Sequence, residues 1–267
     1  MNPLPRDGAI GWADFSWGIA SGCRTGCGYC YARVIANRFK PKGTVLWSSQ
    51  EAGNGKCYTA GKGDVFPYGF APTFYPHRLD EPLKVKKPSM IFVCSMGELF
   101  GPWVPLDWVK AIYDVMTACV DHTFIVLTKW PGGIRDKLHG FEPDKRWPLF
   151  NSRESYPNIW HLTSVEDQAT WDKRVPEILK LREHGWPVLG VSVEPMLGPI
   201  EPHRIEELDW VIVGGQSPAS ARQPEHEWVM PIIEQCGVEG IPLFLKNNLK
   251  PTINGSLIQQ WPKGAPE

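Results

Sequence analysis

The chain has 267 residues, of which 42% are hydrophobic and 21% charged, and its formal net charge is −1. This composition is ordinary for a globular protein. No apolar run reaches the ~20 residues that a membrane-spanning helix needs, which excludes a membrane-embedded class. The first residues have neither a basic start nor an apolar core, so we expect no signal peptide and a cytoplasmic protein.

The first predicted element is a short strand over residues 15–20, FSWGIA, which lies directly before a cluster of cysteines. Residues 41–88 are rich in Gly and Pro, and we expect an irregular excursion there that contains one strand of the main sheet. From residue 89 onward, six apolar runs predict strands: SMIFVCS (89–95), TFIVLTK (123–129), NIWHLTSV (158–165), PVLGVSVE (187–194), DWVIVGG (209–215) and IPLFLK (241–246). Because they are continuously apolar, they suit parallel strands that are covered on both faces.

Amphipathic segments lie between these runs and predict helices. Over residues 105–121 apolar side chains recur at steps of three and four, and Pro105 or Asp107 suits the helix start. A second helix is expected over 168–183, where Pro176 should kink or break it, and a third over 225–236. Strands joined by helical crossovers predict an α/β fold, a single (β/α) barrel or partial barrel of parallel strands with outer helices over residues 1–267. A doubly wound open sheet is the alternative.

Three of the seven cysteines are closely spaced in CRTGCGYC (23–30). Disulfides rarely persist in the cytoplasm, so an odd number of cysteines favours metal ligands and free thiols. The thiolates of Cys23, Cys27 and Cys30 can hold three irons of a [4Fe–4S] cluster and leave the fourth iron open. An open iron can chelate S-adenosylmethionine (SAM), and one electron then cleaves the sulfonium to release a 5′-deoxyadenosyl radical. The alternative is a structural zinc site, for which no fourth ligand has informative spacing.

CRTGCGYC, with Tyr29 beside the last cysteine and a strand before the first, resembles the signature of the radical SAM superfamily. The rest of the chain is similar to the uncharacterised phage-associated three-Cys-motif proteins. The matching stretches are GCRTGCGYCYARVIANRF, FVCSMGELF, HTFIVLTKWP, LTSVEDQ, VSVEPMLGPI, LDWVIVGGQS, ARQPEHEWV and IPLFLKN. This resemblance implies a barrel of radical SAM type, a [4Fe–4S] cluster and SAM as cofactors, and a one-electron reductant of flavodoxin or ferredoxin type. It implies no substrate.

Charged residues follow most of the predicted strands. In parallel barrels the active site lies at the carboxyl ends of the strands, and burying so many charges there is costly unless they pair or meet a ligand. We therefore predict a polar ring around one mouth, formed by Glu98, Lys129, Glu166, Glu194 and Lys246. The alternative is that some of these side chains only pair with each other to close the barrel.

The superfamily often places its site for the SAM amino group where this chain has SMGEL (95–99), which assigns that role to Gly97 and Glu98. Glu166 and Glu194 are candidates for the ribose hydroxyls or the amino group. Lys129 is the candidate cation for the SAM carboxylate or an anionic substrate.

Four further residues are candidates for the site. Lys246 is a second candidate cation at the ring. Gly214 and Gly215 follow a buried strand and allow close backbone approach of a ligand, although a tight turn explains them equally. Cys94 could donate a hydrogen atom to a substrate radical, although a small core residue is the more common reason for such a cysteine.

Charge is unevenly distributed along the chain. Residues 1–90 carry 12 Lys and Arg against 6 Asp and Glu, whereas residues 91–267 carry 16 against 23. Residues 24–42 contain five bases and no acid, which indicates either a solvated helix face or an approach surface for nucleic acid.

Other functions remain open: a non-catalytic iron–sulfur or zinc module, and a barrel hydrolase. A partner protein encoded nearby is a further expectation.

Overall fold

The computed structural model describes residues 1–8, 10–43, 56–138, 156–217, 221–253 and 255–266. Within these ranges the strands are β1 (Asn2–Pro3), β2 (Phe15–Trp17), β3 (Ala20–Ser21), β4 (Tyr58–Thr59), β5 (Thr73–Phe74), β6 (Met90–Val93), β7 (Thr123–Thr128), β8 (Ile159–Val165), β9 (Leu189–Val193), β10 (Trp210–Val213) and β11 (Leu243–Leu245). The α-helices are α1 (Tyr31–Phe39), α2 (Leu106–Ala118), α3 (Pro131–Leu138), α4 (Gln168–Leu179) and α5 (His226–Glu239). No helix in these ranges is long and apolar enough to cross a membrane.

Eight strands form one large sheet in the order β1-β2-β6-β7-β8-β9-β10-β11. All neighbours from β2 to β11 are parallel, and only β1 runs antiparallel to β2. The six strands predicted from residue 89 onward are confirmed. The predicted strand over residues 15–20 is divided: its first half is β2 of the large sheet, and its end leads into β3 of a second sheet.

The strand order from β2 to β11 follows the chain without reversal, so the sheet has no switch point and is not doubly wound. Since crossovers between parallel strands are right-handed, such an order places every crossover helix on the same face. Apolar side chains of α2, α3, α4 and α5 accordingly share one core cluster with strand residues such as Val126 and Val191. We call this side of the large sheet the outer face.

The opposite side, the inner face, carries a separate cluster in which the described helices take no part. There the ring of Trp12 lies 4.8 Å from Phe92 on β6 and 6.0 Å from Trp210 on β10, measured between centroids. Those strands are four positions apart, about 19 Å in a flat sheet. One indole can contact both only because the sheet curves around its inner face.

The two edge strands do not pair with each other within the described ranges. Instead, Gln259 forms a bridge to Phe244 on β11, and the indole Nε1 of Trp261 donates to the Trp12 carbonyl at 3.1 Å. The terminal segments thus cover the opening between the edges with a few contacts and without a strand ladder. The fold is a mixed α/β structure built on a large, curved, mostly parallel sheet, which does not close into a barrel within the part of the chain that the structure describes.

Two helices continue through a proline. α4 runs past Pro176 to Leu179 before a 3-10 turn, and α5 runs past Pro231. The expected break at Pro176 is therefore absent. Burial of apolar side chains such as Trp171 and Val175 against the sheet offsets the hydrogen bond that proline removes. Pro105 is the N-cap of α2, as its sequence indicates.

In its described part, the excursion over residues 41–88 contributes no strand to the large sheet, contrary to the expectation of one there. β4 and β5 instead form a small sheet with β3. Each of these strands has two residues, too few to extend a buried parallel sheet. Residues 44–55 of the excursion lie outside the described residues.

Candidate functional site

Polar residues directly follow the last residue of four strands in the large sheet: Lys129 after β7, Glu166 after β8, Glu194 after β9 and Lys246 after β11. Because side chains alternate along a strand, these four project from the inner face, two positions beyond inner-face residues such as Phe244. The backbone N–H of Glu194 donates to the Val165 carbonyl, and that of Lys246 donates to the Val213 carbonyl. The strand pairing therefore continues as far as these two residues. We call these four residues the polar row.

The first half of the polar row is a three-member charge network. The Lys129 ammonium contacts the Glu166 carboxylate, whose second oxygen accepts from Arg174 on α4 at 2.9 Å. Lys129 also donates to the Tyr29 hydroxyl at 2.6 Å and lies 4.8 Å from the centre of its ring. Glu166 is only 4% exposed, and two cations compensate for its lost hydration.

The second half is the ion pair between Lys246 and Glu194. β10 lies between β9 and β11, so the pair spans the position of Gly214. A Cβ on Gly214 would lie 2.8 Å from Cδ of Lys246 and 3.2 Å from Cδ of Glu194. Gly214 therefore makes room for the pair. Lys246 is buried, whereas Glu194 is partly exposed and is the more accessible of the row's two carboxylates.

Glu98 is not part of this row. Its carboxylate accepts from the backbone N–H groups of Phe100 and Lys129 at 2.9 and 3.0 Å and from the Thr128 hydroxyl at 2.6 Å. Thr128 projects from the outer face. Burial raises the pKa of Glu98 despite these three donors. Because both of its oxygens are engaged, Glu98 ties the loop after β6 to the end of β7.

Gly97 is held against the residues that lead into the cysteine loop. It forms a parallel bridge with Gly22, and a Cβ on Gly97 would lie 3.1 Å from the Ser21 Cα. Gly22 has φ +86°, and a Cβ there would lie 2.3 Å from the Ala71 carbonyl oxygen. The chain needs glycine at both positions, since the two backbones approach closely where the loop begins.

The cysteine loop itself lies at the carboxyl edge of the sheet. The Cys23 thiol bonds to the Thr25 hydroxyl at 3.1 Å, and the Cys30 sulfur caps α1 by accepting from the Arg33 N–H. All three motif cysteines are partly exposed and none forms a disulfide. Burial raises the pKa of Cys23 to about 11, so this thiol is protonated at neutral pH unless a bound cation displaces the proton.

Two tyrosines connect the cysteine loop to the polar row. Burial, and then the nearby Glu166 carboxylate, raise the pKa of Tyr29, which also contacts the Cys27 side chain. The Tyr31 hydroxyl donates to the Ser95 carbonyl at 2.7 Å. Burial, and then the nearby Glu194 and Cys30, raise the pKa of Tyr31. Tyr29 thus joins the first half of the polar row to Cys27, and Tyr31 lies near Glu194 of the second half.

The donor set of the loop fits an iron–sulfur cluster, since three partly exposed thiols lie within eight residues. Across the described ranges, no three His, Cys, Asp or Glu side chains already lie close enough to hold a metal ion. Loading therefore requires the loop to draw its sulfurs together. The loop has room to do so, because no described atom lies within 4 Å of a Cβ built on Gly26 or Gly28, the neighbours of Cys27.

Two predicted positions are enclosed by protein. The Asn248 side chain accepts from the Gly215 N–H at 3.1 Å and donates to the Gly215 carbonyl at 2.8 Å. The Gln223 side chain lies directly against the Gly215 Cα. Cys94 has φ +59°, which interrupts the alternation of β6 and turns its side chain into the outer-face core. Cys94 is 5% exposed. Its role as a hydrogen-atom donor stays a prediction.

Sequence reasoning missed Arg174 and Tyr31. Arg174 could have been found from the N-cap signal at Asp167, because Thr170 and Arg174 follow at helical spacing and both reach back to Glu166. For Tyr31 the sequence holds no signal, since its contact with Ser95 depends on how the loop folds over the sheet.

A search of curated proteins and a search of solved structures each gave no match for this chain. A family model with the description "Protein of unknown function (DUF5131)" matches residues 7–252, which is most of the chain and includes the cysteine loop and the entire polar row. The chain belongs to the DUF5131 family.

Proposed function

We propose that this protein is a radical SAM-type iron–sulfur enzyme. The observation that carries the proposal is the position of CRTGCGYC, which follows β2 of the curved, mostly parallel sheet through the short strand β3 and lies beside the polar row. Thiol ligands alone would suit many metal sites. Thiol ligands next to a polar row at the carboxyl edge of parallel strands suit an enzyme.

The fold supports the same proposal. A strand order without reversal, helices on one face and a concave inner face are features that a (β/α) barrel also has. We propose a partial barrel of radical SAM type, in which the terminal segments cover the opening. We also place the protein in the cytoplasm, where thiols stay reduced.

Cys23, Cys27 and Cys30 would hold a [4Fe–4S] cluster. When bound, such a cluster supplies the electron that cleaves SAM to methionine and a 5′-deoxyadenosyl radical. A flavodoxin- or ferredoxin-type protein is the proposed electron donor, and the partly exposed loop leaves room for its approach.

The polar row would bind and orient SAM. Glu194 is the accessible carboxylate and suits the SAM amino group or ribose hydroxyls, while Lys129 and Lys246 suit its carboxylate. Both halves of the row are already paired, so binding must exchange ion pairs within the protein for contacts to the ligand. Such an exchange replaces one set of ion pairs by another, so it leaves few of the row's charges without a partner.

Metal analysis combined with electron paramagnetic resonance (EPR) tests the proposal. Protein reconstituted anaerobically should bind about four irons per chain, and the EPR spectrum of the reduced cluster should change when SAM is added. An unchanged spectrum at full iron loading would mean that no iron is open to SAM. Stoichiometric zinc in protein purified anaerobically would instead favour a non-catalytic zinc module.

A further inference from the structure

The arginines of this protein fall into two groups. Each of seven described arginines has a carboxylate oxygen within 4 Å: Arg6, Arg78, Arg135, Arg174, Arg182, Arg204 and Arg222. The other three arginines in the described ranges are Arg24, Arg33 and Arg38, and no described carboxylate pairs with them. All three lie on the cysteine loop or on α1, which begins directly after Cys30.

The chain segments that carry these three arginines, or contact them, contain almost no acids. They are two described stretches, residues 24–43 and 56–70, and together they carry seven Lys and Arg against one Asp. The stretches contact each other: the Arg24 guanidinium donates to the Lys56 carbonyl, and that of Arg33 lies 5.8 Å from the Phe70 ring. We call these two stretches the basic surface. Its guanidiniums have no carboxylate partner among the described residues, so their charge is not neutralised within the protein and is available to an anionic ligand.

Exposed aromatic rings accompany this charge. Tyr31, at the start of α1, is 44% exposed. Trp130 is 38% exposed and reaches the cysteine loop from the end of β7, where its Nε1 donates to the Thr25 hydroxyl at 3.1 Å. Val34 and Phe39 add exposed apolar area on α1. Exposed flat rings close to arginines that have no carboxylate partner are the combination that binds the bases and phosphates of an unpaired strand.

We propose that the basic surface binds single-stranded nucleic acid and leads it to the polar row. This inference rests on the proposed function, because it names the substrate class of the same site. Single-stranded nucleic acid fits better than an acidic peptide, since stacking rings on the rim add nothing for carboxylates. It also fits better than a duplex, whose bases are already stacked and cannot reach Tyr31 or Trp130.

Fluorescence anisotropy with labelled 12-nucleotide DNA and RNA strands tests the inference on the full chain, with and without iron and always without SAM. Arg24→Gln, Arg33→Gln and Arg38→Gln combined should raise Kd roughly 30-fold at moderate salt. The same variant should reduce the slope of log K against log salt by about 2, since each lost phosphate contact removes about 0.7 for a single strand. Replacing the three arginines by lysine should preserve most of the slope.

The matched control is Arg182→Gln, Arg204→Gln and Arg222→Gln combined, which removes the same charge from arginines that have partners. It should change Kd by less than about 2-fold, because exposed paired arginines contribute only to the overall field. Equal losses in the two triple variants would overturn the inference. So would competition by polyglutamate at the same charge concentration, or duplex DNA bound as tightly as single strands. Because binding is measured without SAM, its failure leaves the SAM-dependent EPR change intact, and loss of that change leaves strand binding intact.

Discussion

The inner face of the large sheet has two regions that differ sharply although the same strands build both. The region towards the amino ends of the strands, which we call the tryptophan region, is apolar. In it Trp210 makes edge-to-face contacts with Trp12 and Trp160. The carboxyl edge, only a few residues further along each strand, is the polar row. Phe244 and Lys246 show the change within a single strand.

This difference indicates that the tryptophan region mainly stabilises the fold, whereas the polar row is the candidate functional site. The tryptophan region removes large apolar areas from water, which is the main favourable contribution to folding. The polar row buries charge, and an ion pair rarely stabilises more than an apolar pair of similar volume would. Charges concentrated at one edge of an otherwise apolar face therefore indicate a site that is retained for binding or chemistry.

The largest effect is expected at the cysteine loop. Cys27→Ala should abolish iron loading, from about four irons per chain to nearly none, because two thiolates cannot hold a cubane cluster. Iron analysis of reconstituted protein measures this. Cys57→Ser is the control and should load normally, since Cys57 lies outside the loop. If Cys57→Ser also fails to load, the cluster has four cysteine ligands and no open iron.

In the tryptophan region, Trp210→Ala should lower the free energy of unfolding by about 3–5 kcal/mol, as expected for a fully buried indole. Urea denaturation measures the change, and iron loading of the folded fraction should stay normal. Val238→Ala, at a side chain that is 78% exposed, should change stability by no more than about 0.5 kcal/mol. Loss of iron with retained stability in Trp210→Ala would show that the two regions are not separable.

In the polar row, Glu194→Gln should destabilise the fold by about 3 kcal/mol, because it leaves the buried Lys246 ammonium without its counter-charge. Lys246→Met should cost less, since the remaining Glu194 is partly exposed to water. Combining Glu194→Gln with Lys246→Met should recover most of the free energy of unfolding that Glu194→Gln alone loses. A double-mutant cycle in urea tests this order, and additive losses would argue against a direct pair.

The smallest effect is expected at Gly214. Gly214→Ala should cost about 1–2 kcal/mol, because the added methyl group meets both members of the ion pair. The control is Gly237→Ala in α5, where nothing lies within 4 Å of the new methyl group. That variant should stabilise the protein by roughly 0.5–1 kcal/mol, since alanine loses less backbone entropy in a helix. The same sign for both variants would contradict the proposed role of Gly214.

Much of this site can be predicted from sequence because its position follows from a simple rule. Continuous apolar runs locate buried parallel strands, and the first charge after each run then lies at the carboxyl edge. That reasoning places Lys129, Glu166, Glu194 and Lys246 correctly on one edge. It does not show which of them pair, since the contact between Glu194 and Lys246 depends on the strand order and on Gly214 between them.

The rule fails where the backbone leaves regular geometry. Alternation along β6 would place Cys94 on the inner face, but its left-handed conformation turns it into the outer core. Glu98 likewise follows a strand in sequence, yet it lies on an irregular loop and binds Thr128. The irregular residues 41–88 offered no periodic pattern, so the small sheet there could not be foreseen.

The most direct test of the central claim is the release of 5′-deoxyadenosine from SAM by the reconstituted protein with dithionite under anaerobic conditions. We predict SAM-dependent release by the wild-type chain and none by Cys27→Ala. A fully loaded cluster that leaves SAM intact, even in the presence of single-stranded nucleic acid, would contradict the account.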